Sequence, residues 1–174
     1  MVLESHEGVI AVTDSSSRVL ATGEGETLWF AGAHQTIKHP GEWSDEKFSL
    51  VEVAVPRGRA TPLHRDPSDE TFYILDGELL FHIDGTERKA GAGDTLAVRR
   101  GVPHAFVATS QSARFLVFNT PGTHDKYFRD GGEPANDANF DTAPPPDYNR
   151  IEASSRKHGI EMLGPAPFAP SETD

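Results

Sequence analysis

The chain has 174 residues and no cysteine, which predicts one domain of ordinary size and excludes disulfides and thiolate metal ligands. A formal net charge of -11 with no clustered lysines and arginines argues against binding to nucleic acid. The sequence contains no apolar run of bilayer length, and its start lacks the basic-then-apolar order of a signal peptide, so we expect a cytoplasmic protein without membrane contact.

Short β-rich segments separated by turn residues follow one another from about residue 9 to residue 119. The candidate strands are residues 27–30, 35–38, 48–55, 70–75, 79–83, 95–98, 104–108 and 114–119. The pairs Asp76-Gly77 and Asp84-Gly85 are typical of tight hairpins. Strands at this spacing, with no long helix among them, favour an antiparallel sandwich or barrel.

The C-terminal part of the chain has a different pattern. Residues 123–129 fit a short helix, and the stretch 131–146 is an irregular loop rich in Gly, Pro, Asn and Asp. Residues 147–158 fit a helix because Asp147 can cap its start and Gly159 stands where a C-terminal glycine belongs. Residues 160–163 could add a last strand. We therefore expect a barrel over 1–120, an extension packed on it over 121–164, and a disordered tail over 165–174.

Two histidines and two carboxylates within the strand-rich region suggest a metal site. His64, Asp66 and Glu70 are two and four residues apart, and on one extended strand such residues point to the same face. His104 could join them from a second strand. Two imidazoles with one or two carboxylates suit non-haem iron, manganese, cobalt, nickel or zinc.

The spacing of these residues resembles the two motifs of the cupin superfamily. The first motif is Gly58-x5-His64-x-Asp66-x3-Glu70-x6-Gly77 and the second is Gly93-x7-Gly101-x-Pro103-His104, with residues 78–92 between them. The segments around Trp29-Phe30 and Gly159 extend the resemblance to single-domain cupins of the quercetin 2,3-dioxygenase-like type.

This resemblance implies an all-β, single-domain cupin, an antiparallel jelly-roll β-barrel with short C-terminal helices. It also implies a metal inside the barrel, held at the positions of His64, Asp66, Glu70 and His104. The sequence departs from the family pattern at Asp66, where a second histidine is expected. A lesser departure is Arg99 in place of a proline.

The role of Asp66 has two interpretations. As a ligand it adds an anionic oxygen and favours iron(II), manganese or nickel, with two negative charges at the site if Glu70 also binds. In another geometry Glu70 stays free as a general base, and His64, Asp66 and His104 form a facial triad. Alternatively, Asp66 opens a turn before Pro67 and faces solvent or a neighbouring arginine, which leaves the metal weakly bound.

Our leading functional hypothesis is a metal-dependent dioxygenase acting on a small aromatic or enolisable compound. The cofactor would be a divalent ion: iron, nickel, manganese or cobalt, with zinc as a further candidate. Glu70 and Asp66 would act in catalysis, and segment 123–129 would close the mouth of the pocket. The expected substrate pocket comprises Phe72, Ile74, Phe106 and Leu116.

Three alternatives keep the same pocket. A non-redox isomerase or cyclase would use His64, Asp66 and Glu70 as acid–base groups, and a non-catalytic cupin would only bind a small molecule. The order His64-x-Asp66, His104, Arg114 also resembles that of 2-oxoglutarate-dependent oxygenases, in which an arginine grips the cosubstrate. By analogy with single-domain cupins we expect a homodimer, formed through the apolar segments 9–11 and 19–21.

Overall fold

The computed structural model describes residues 17–169, and these residues form two facing antiparallel sheets. In chain order the strands are β1 (Glu26–Phe30), β2 (Ala33–His39), β3 (Ser49–Pro56), β4 (Leu63–Arg65), β5 (Asp69–Asp76), β6 (Glu78–Ile83), β7 (Thr86–Gly91), β8 (Thr95–Val98), β9 (His104–Ala108), β10 (Ser112–Thr120), β11 (Glu133–Pro134) and β12 (Glu161–Gly164). The first sheet has the order β11-β1-β2-β3-β10-β5-β8, and the second has the order β12-β4-β9-β6-β7. The predicted all-β jelly-roll fold is confirmed.

Alternating burial along the strands explains how the two sheets enclose one core. On β3 every second residue, from Ser49 to Val55, is buried, while the residues between them are partly exposed. Aromatic side chains fill the space between the sheets: the ring centroids of Phe72 and Phe81 are 5.1 Å apart, and those of Phe106 and Phe115 are 5.3 Å apart. The core is therefore the interior of the barrel, and the site must share that space.

All eight predicted strands are present, with ends within two residues of the predicted ones. The two hairpin predictions differ in outcome. Asp84-Gly85 joins β6 to β7 as a two-residue turn, with Ile83 opposite Thr86 and positive φ at both turn residues. Asp76-Gly77 does not close a hairpin, because β5 and β6 belong to different sheets. There the chain crosses the barrel, and a Cβ on Gly77 would lie only 2.2 Å from a backbone oxygen.

Sequence patterning missed three strands, β4, β7 and β11, for two physical reasons. β7 is mostly polar because it is an exposed edge strand, so it has no alternating apolar pattern. β4 and β11 are only three and two residues long. β12, expected over residues 160–163, is present and pairs with β4.

Two helices follow the barrel: α1 (His124–Gly131) and α2 (Tyr148–His158). The side chain of Asp147 caps α2 by accepting a hydrogen bond from the Arg150 amide, and Gly159 ends it in the left-handed conformation, as predicted. The loop between the helices contains β11 and a 3-10 turn, Phe140–Thr142. Neither helix is long and apolar enough to cross a membrane.

The predicted dimer segments are only partly covered by the structure. Residues 9–11 lie outside the described part of the chain, and residues 19–21 do not form a strand. The homodimer therefore stays a prediction.

Candidate metal centre

The two motif segments meet because β4 pairs with β9 in one sheet and β5 pairs with β8 in the other. His64 is on β4, in the second sheet, where it pairs directly with His104 on β9. Glu70 is on β5, in the first sheet, and Asp66 lies in the connection between the two strands. The prediction that His64, Asp66 and Glu70 share one face of one strand is wrong, since Pro67 interrupts the strand and the chain changes sheet. Their side chains converge from two sheets instead.

The structure brings all four predicted ligand side chains into one cluster. One potential ligand atom from each of His64, Asp66, Glu70 and His104 lies within 4.8 Å of the others. Asp66 Oδ2 is 3.3 Å from His64 Nε2 and 3.5 Å from His104 Nε2, and Glu70 Oε2 is 2.7 Å from His104 Nε2. Asp66 is therefore buried against imidazoles, not turned to solvent.

The two imidazoles are oriented by backbone carbonyls. His64 Nδ1 is 2.8 Å from the Pro62 carbonyl oxygen, and His104 Nδ1 is 3.0 Å from that of Val102. A proton on each Nδ1 can be donated to these oxygens, which leaves the lone pair of each Nε2 facing the cluster. This is how metal-binding histidines are usually held, with the outer nitrogen fixed by a hydrogen bond.

The unmatched polar atoms of the cluster fit a cation. Both oxygens of Asp66 are buried and have no hydrogen-bond partner within the described residues, while the buried Glu70 Oε2 and His104 Nε2 have only each other, 2.7 Å apart. Lone pairs of anionic oxygens and imidazole nitrogens facing one another in a dry interior repel unless a positive charge lies between them. A divalent ion satisfies all of these atoms at once, so the donor set fits the metal that the cupin pattern implies.

Without a metal ion, a proton can partly fill this role. Burial acts to raise the pKa of Glu70, but the hydrogen bond with His104 and the charges of His124 and His104 outweigh burial and lower it to about 2. Burial acts to lower the pKa of His104, while the Glu70 carboxylate outweighs it and leaves this pKa raised. Glu70 is thus an anion at neutral pH, and protons and metal ions compete for His104.

Asn119 is a site residue that the motif does not reveal. It lies on β10 opposite Glu70, is fully buried, and donates a hydrogen bond of 2.9 Å from Nδ2 to Glu70 Oε1. The sequence carries a weak signal for it, since an amide at the inward parity of β10 is out of place in an apolar core. Asn119 fixes the orientation of the Glu70 carboxylate.

His124 is the second site residue that sequence reasoning missed. It is the first residue of α1 and only 5% exposed, with Nε2 3.4 Å from Asp66 Oδ1 and 3.8 Å from Glu70 Oε1. Nothing in the strand motifs points to it, because it comes from a helix outside the barrel. The cluster therefore contains three imidazoles around two carboxylates.

A cavity of about 260 Å³ opens onto this cluster. Its walls are mostly apolar and aromatic, and they come from both sheets and from the two helices. The lining includes Phe30, Ala33, Val53, Phe72, Phe106, Phe115, Val117, Tyr127, Phe128 and Ile151, together with His64, Glu70, His104 and His124. Residues of segment 123–129 thus form part of the cavity wall, where we expected a closing element.

Of the four predicted pocket residues, two line the cavity and two do not. Phe72 and Phe106 line the cavity as expected, and Ile74 is buried in the core. The placement of Leu116 in the pocket is wrong: Phe115 and Val117 are the residues of β10 that face inward, so Leu116 is on the other face. Inward parity holds only within one strand and cannot be carried across the turns that precede β10.

Arg114 likewise points away from the cavity. Its Nη1 donates to Glu52 on the neighbouring strand β3 at 3.1 Å, on the outer face of the sheet. It therefore cannot grip a cosubstrate inside the barrel, and the 2-oxoglutarate alternative loses the residue on which it depended.

Two other polar side chains of the cavity wall have unmatched atoms. Gln35 is 4% exposed and its Oε1 has no hydrogen-bond partner within the described residues; the same holds for the buried Nε of Arg59. The Arg59 guanidinium packs against Gly32, where a Cβ would come within 2.5 Å of it. Buried polar atoms are normally paired, so these two are candidates for contacts with a ligand.

Comparison with known proteins connects this site to one superfamily. Residues 51–119 match the family model for the cupin domain. The chain is 27% identical over 140 residues to quercetin 2,3-dioxygenase of Bacillus subtilis (strain 168), an alignment that covers 80% of this chain and 40% of that protein. Overall, the chain spans between 35% and 55% of the length of the curated relatives it matches.

Solved structures agree on the fold. An RmlC-like cupin from Shewanella frigidimarina NCIMB 400 matches with a TM-score of 0.52 at 19% identity, over 63% of this chain and 96% of that one. The polyketide cyclase RemF from Streptomyces resistomycificus matches with a TM-score of 0.51 at 25% identity, over 60% of this chain and 78% of that one. With the motif residues gathered inside a two-sheet barrel, residues 51–119 of this chain are a cupin domain, as the sequence predicted.

Proposed function

We propose that this protein is a metal-dependent dioxygenase that acts on a small aromatic or enolisable compound of the polyphenol or polyketide type. The observation that carries the proposal is the set of buried ligand atoms on Asp66, Glu70 and His104, which among the described residues face only one another and neighbouring imidazoles, beside a mostly apolar cavity. Similarity to the quercetin 2,3-dioxygenase of Bacillus subtilis supports the reaction class.

His64, Asp66, Glu70 and His104 would hold the ion, and iron(II), nickel, manganese or cobalt suit this mixed nitrogen and oxygen set, with zinc as a further candidate. When bound, the ion supplies Lewis acidity that lowers the pKa of a substrate hydroxyl, and a template on which substrate and dioxygen meet. The carbonyls of Pro62 and Val102 keep the two imidazoles turned toward it.

The cavity supports a small, largely apolar substrate. Its volume of about 260 Å³ lies just below the usual range of ligand pockets, about 300–1,000 Å³, so it suits a small molecule. Phe72, Phe106 and Phe115 present ring edges and faces that would pack on an aromatic substrate. Tyr127 and Phe128 of α1 close one side and would exclude water from the reacting groups.

In the arrangement in which His64, Asp66 and His104 hold the ion, Glu70 is free to act as the proton acceptor. Its pKa of about 2 makes it a weak base, so it would take a proton only from a hydroxyl that is already acidified. Asn119 holds Oε1, which leaves Oε2 as the atom that faces His104 and the cluster. Burial raises the pKa of Tyr127 to about 12, so this phenol stays protonated and serves as wall, not base.

Arg59 and Gln35 narrow the substrate class. An arginine whose buried Nε has no partner among the described residues, in the wall of a mostly apolar cavity, suits a carboxylate or phenolate oxygen of the substrate. The unpartnered Gln35 Oε1 suits a substrate hydroxyl as donor. A hydroxylated aromatic acid would satisfy both groups.

A second candidate function is a non-redox cyclase or isomerase that uses the same pocket. The similarity to the polyketide cyclase RemF favours it, together with the number of acid–base groups gathered at the cavity. In that case His64, Asp66 and Glu70 would move protons on an enolisable substrate without consuming oxygen.

The metal content of the untagged protein, purified without chelators, tests the proposal first. Elemental mass spectrometry is run on the wild type, on Asp66→His and on the control His82→Ala, which lies outside the cluster. Near-stoichiometric iron, nickel, manganese or cobalt, followed by oxygen uptake with polyphenols, supports the dioxygenase. Stoichiometric metal with turnover but no oxygen uptake supports the cyclase or isomerase instead. Little metal in the wild type, restored by Asp66→His, would contradict the dioxygenase and leave the acid–base cyclase or isomerase, or a protein that only binds a small molecule.

A further inference from the structure

The two oxygens of Asp66 contact different imidazoles. Oδ2 faces His64 Nε2 at 3.3 Å and His104 Nε2 at 3.5 Å, whereas Oδ1 faces His124 Nε2 at 3.4 Å. The carboxylate therefore has an inner oxygen toward the two motif histidines and an outer oxygen toward α1. Glu70 shows the same division, with Oε2 toward His104 and Oε1 toward Asn119 and His124.

The environment of His124 fixes its ring over these outer oxygens. The ring packs edge-on against Tyr127 and Phe128, with centroids 5.6 and 5.3 Å away. The next residue, Asp125, is fully buried; it pairs with Arg129 at 2.6 Å and accepts a 3.4 Å hydrogen bond from the Gly41 amide. The first turn of α1 is thus anchored to the barrel, and its imidazole is aimed at the cluster.

At position 66, an aspartate needs an outer hydrogen-bond partner such as His124 more than a histidine would. A histidine there would offer one nitrogen lone pair, while an aspartate that binds through one oxygen leaves the second oxygen buried and unmatched. A buried carboxylate without an outer partner can also rotate and withdraw its inner oxygen. Groups outside the ligand shell commonly provide this restraint in metal sites.

We propose that His124 is a positioning residue that makes Asp66 an effective metal ligand. This inference rests on the proposed metal centre. In the tautomer with its proton on Nε2, His124 donates to Asp66 Oδ1 and holds Oδ2 toward His64 and His104. The contact of 3.4 Å becomes an ordinary hydrogen bond after a shift of about 0.5 Å. His124 thereby compensates for the missing motif histidine from outside the barrel.

The arrangement couples the metal centre to the cavity wall. Tyr127 and Phe128, on the same helix as His124, line the cavity. A divalent ion that fixes Asp66 would restrain His124, and through it α1 and that side of the cavity. Ion binding is therefore expected to slow amide hydrogen exchange over His124–Gly131.

Cobalt(II) titration of the metal-stripped protein tests the role of His124. Affinity is measured by calorimetry, and the ligand field by the visible absorption of the bound cobalt. His124→Phe should weaken binding by about 10–100-fold and shift the spectrum, because an outer partner of a ligand is lost. His124→Gln keeps a donor and should stay near the wild type, as should the control His82→Phe.

The same substitution in the Asp66→His background separates positioning from general damage to the fold. With a histidine at position 66 no outer oxygen needs a partner, so adding His124→Phe should cost little further affinity. Wild-type affinity and spectrum in the single variant His124→Phe would overturn the proposal, as would an equal loss in both backgrounds. Absence of cobalt binding in the wild type would overturn the metal centre itself, and this inference with it.

Discussion

Replacing Asp66 with asparagine should make the metal-free protein more stable while removing its response to metal. The side chain is 2% exposed, and both of its oxygens lack well-formed hydrogen bonds within the described residues. The asparagine has nearly the same shape but no charge. It therefore tests what the buried charge costs in the absence of a cation.

The size of the effect follows from the surroundings of Asp66. An ionised carboxylate in a dry interior costs several kcal/mol, part of which three imidazole nitrogens at 3.3–3.5 Å can offset. We expect a net gain of about 1–3 kcal/mol for the metal-free Asp66→Asn variant, by analogy with the replacement of other buried charges. At roughly 2–4 °C per kcal/mol for a chain of this size, Tm should rise by about 2–12 °C.

Scanning calorimetry of stripped and cobalt-loaded protein, at a pH above the ordinary histidine value of about 6.5, is the assay. Cobalt at a hundredfold excess over Kd should stabilise the wild type by about 2.7 kcal/mol and the variant far less. Asp76→Asn, at an exposed end of β5, serves as the control and should change neither value. A lower Tm for metal-free Asp66→Asn would refute the reasoning, since the carboxylate would then be well paired by protonated imidazoles. An unchanged cobalt response would show that Asp66 is not a ligand.

Three further predictions address other parts of the site. Asn119→Leu removes the 2.9 Å hydrogen bond to Glu70, so chemical denaturation should show a free energy of unfolding lower by about 1–3 kcal/mol. An unchanged free energy of unfolding would mean that Glu70 finds another donor. The pKa of His104 is raised above its ordinary value of 6.5, so a proton still competes with the metal ion for this imidazole above pH 6.5. Cobalt affinity measured by calorimetry should therefore increase with pH, by up to about tenfold per pH unit, until the pH passes the pKa of His104. An affinity that does not change with pH would contradict this. Because this pKa is raised in the folded state, the His104–Glu70 pair stabilises the metal-free protein at low pH, and this contribution to the free energy of unfolding should be lost as the pH rises through the pKa of His104. Arg59→Gln should weaken binding of hydroxybenzoates about tenfold or more, whereas the exposed neighbour substitution Arg57→Gln should not; equal affinities would place the substrate acid elsewhere.

Local patterns in the sequence were sufficient for the strands, the second hairpin and the ends of α2. Alternating apolar residues define strands such as β3, the pair Asp84-Gly85 permits the positive φ values that its turn requires, and Asp147 and Gly159 satisfy the ends of the helix. These features depend on neighbours within a few residues, which is why the sequence reveals them.

That His64, Asp66, Glu70 and His104 come together could be predicted only from the resemblance to the cupin motifs. The relative positions of these side chains could not be predicted. His64 and Glu70 were expected on one strand face, yet they approach each other from opposite sheets because the chain crosses the barrel after Asp66. Leu116 was expected inside, but strand parity restarts after every turn, so Phe115 and Val117 took that place.

The sequence by itself determined a metal-suited set of side chains on an all-β cupin chain. Only the tertiary structure decided which atoms of that set face one another, and that Asn119 and His124 complete it. The physical reason is one of range. Periodicity and turn chemistry act between near neighbours, whereas the contact of a helix residue with a buried carboxylate depends on how the closed barrel and α1 pack together.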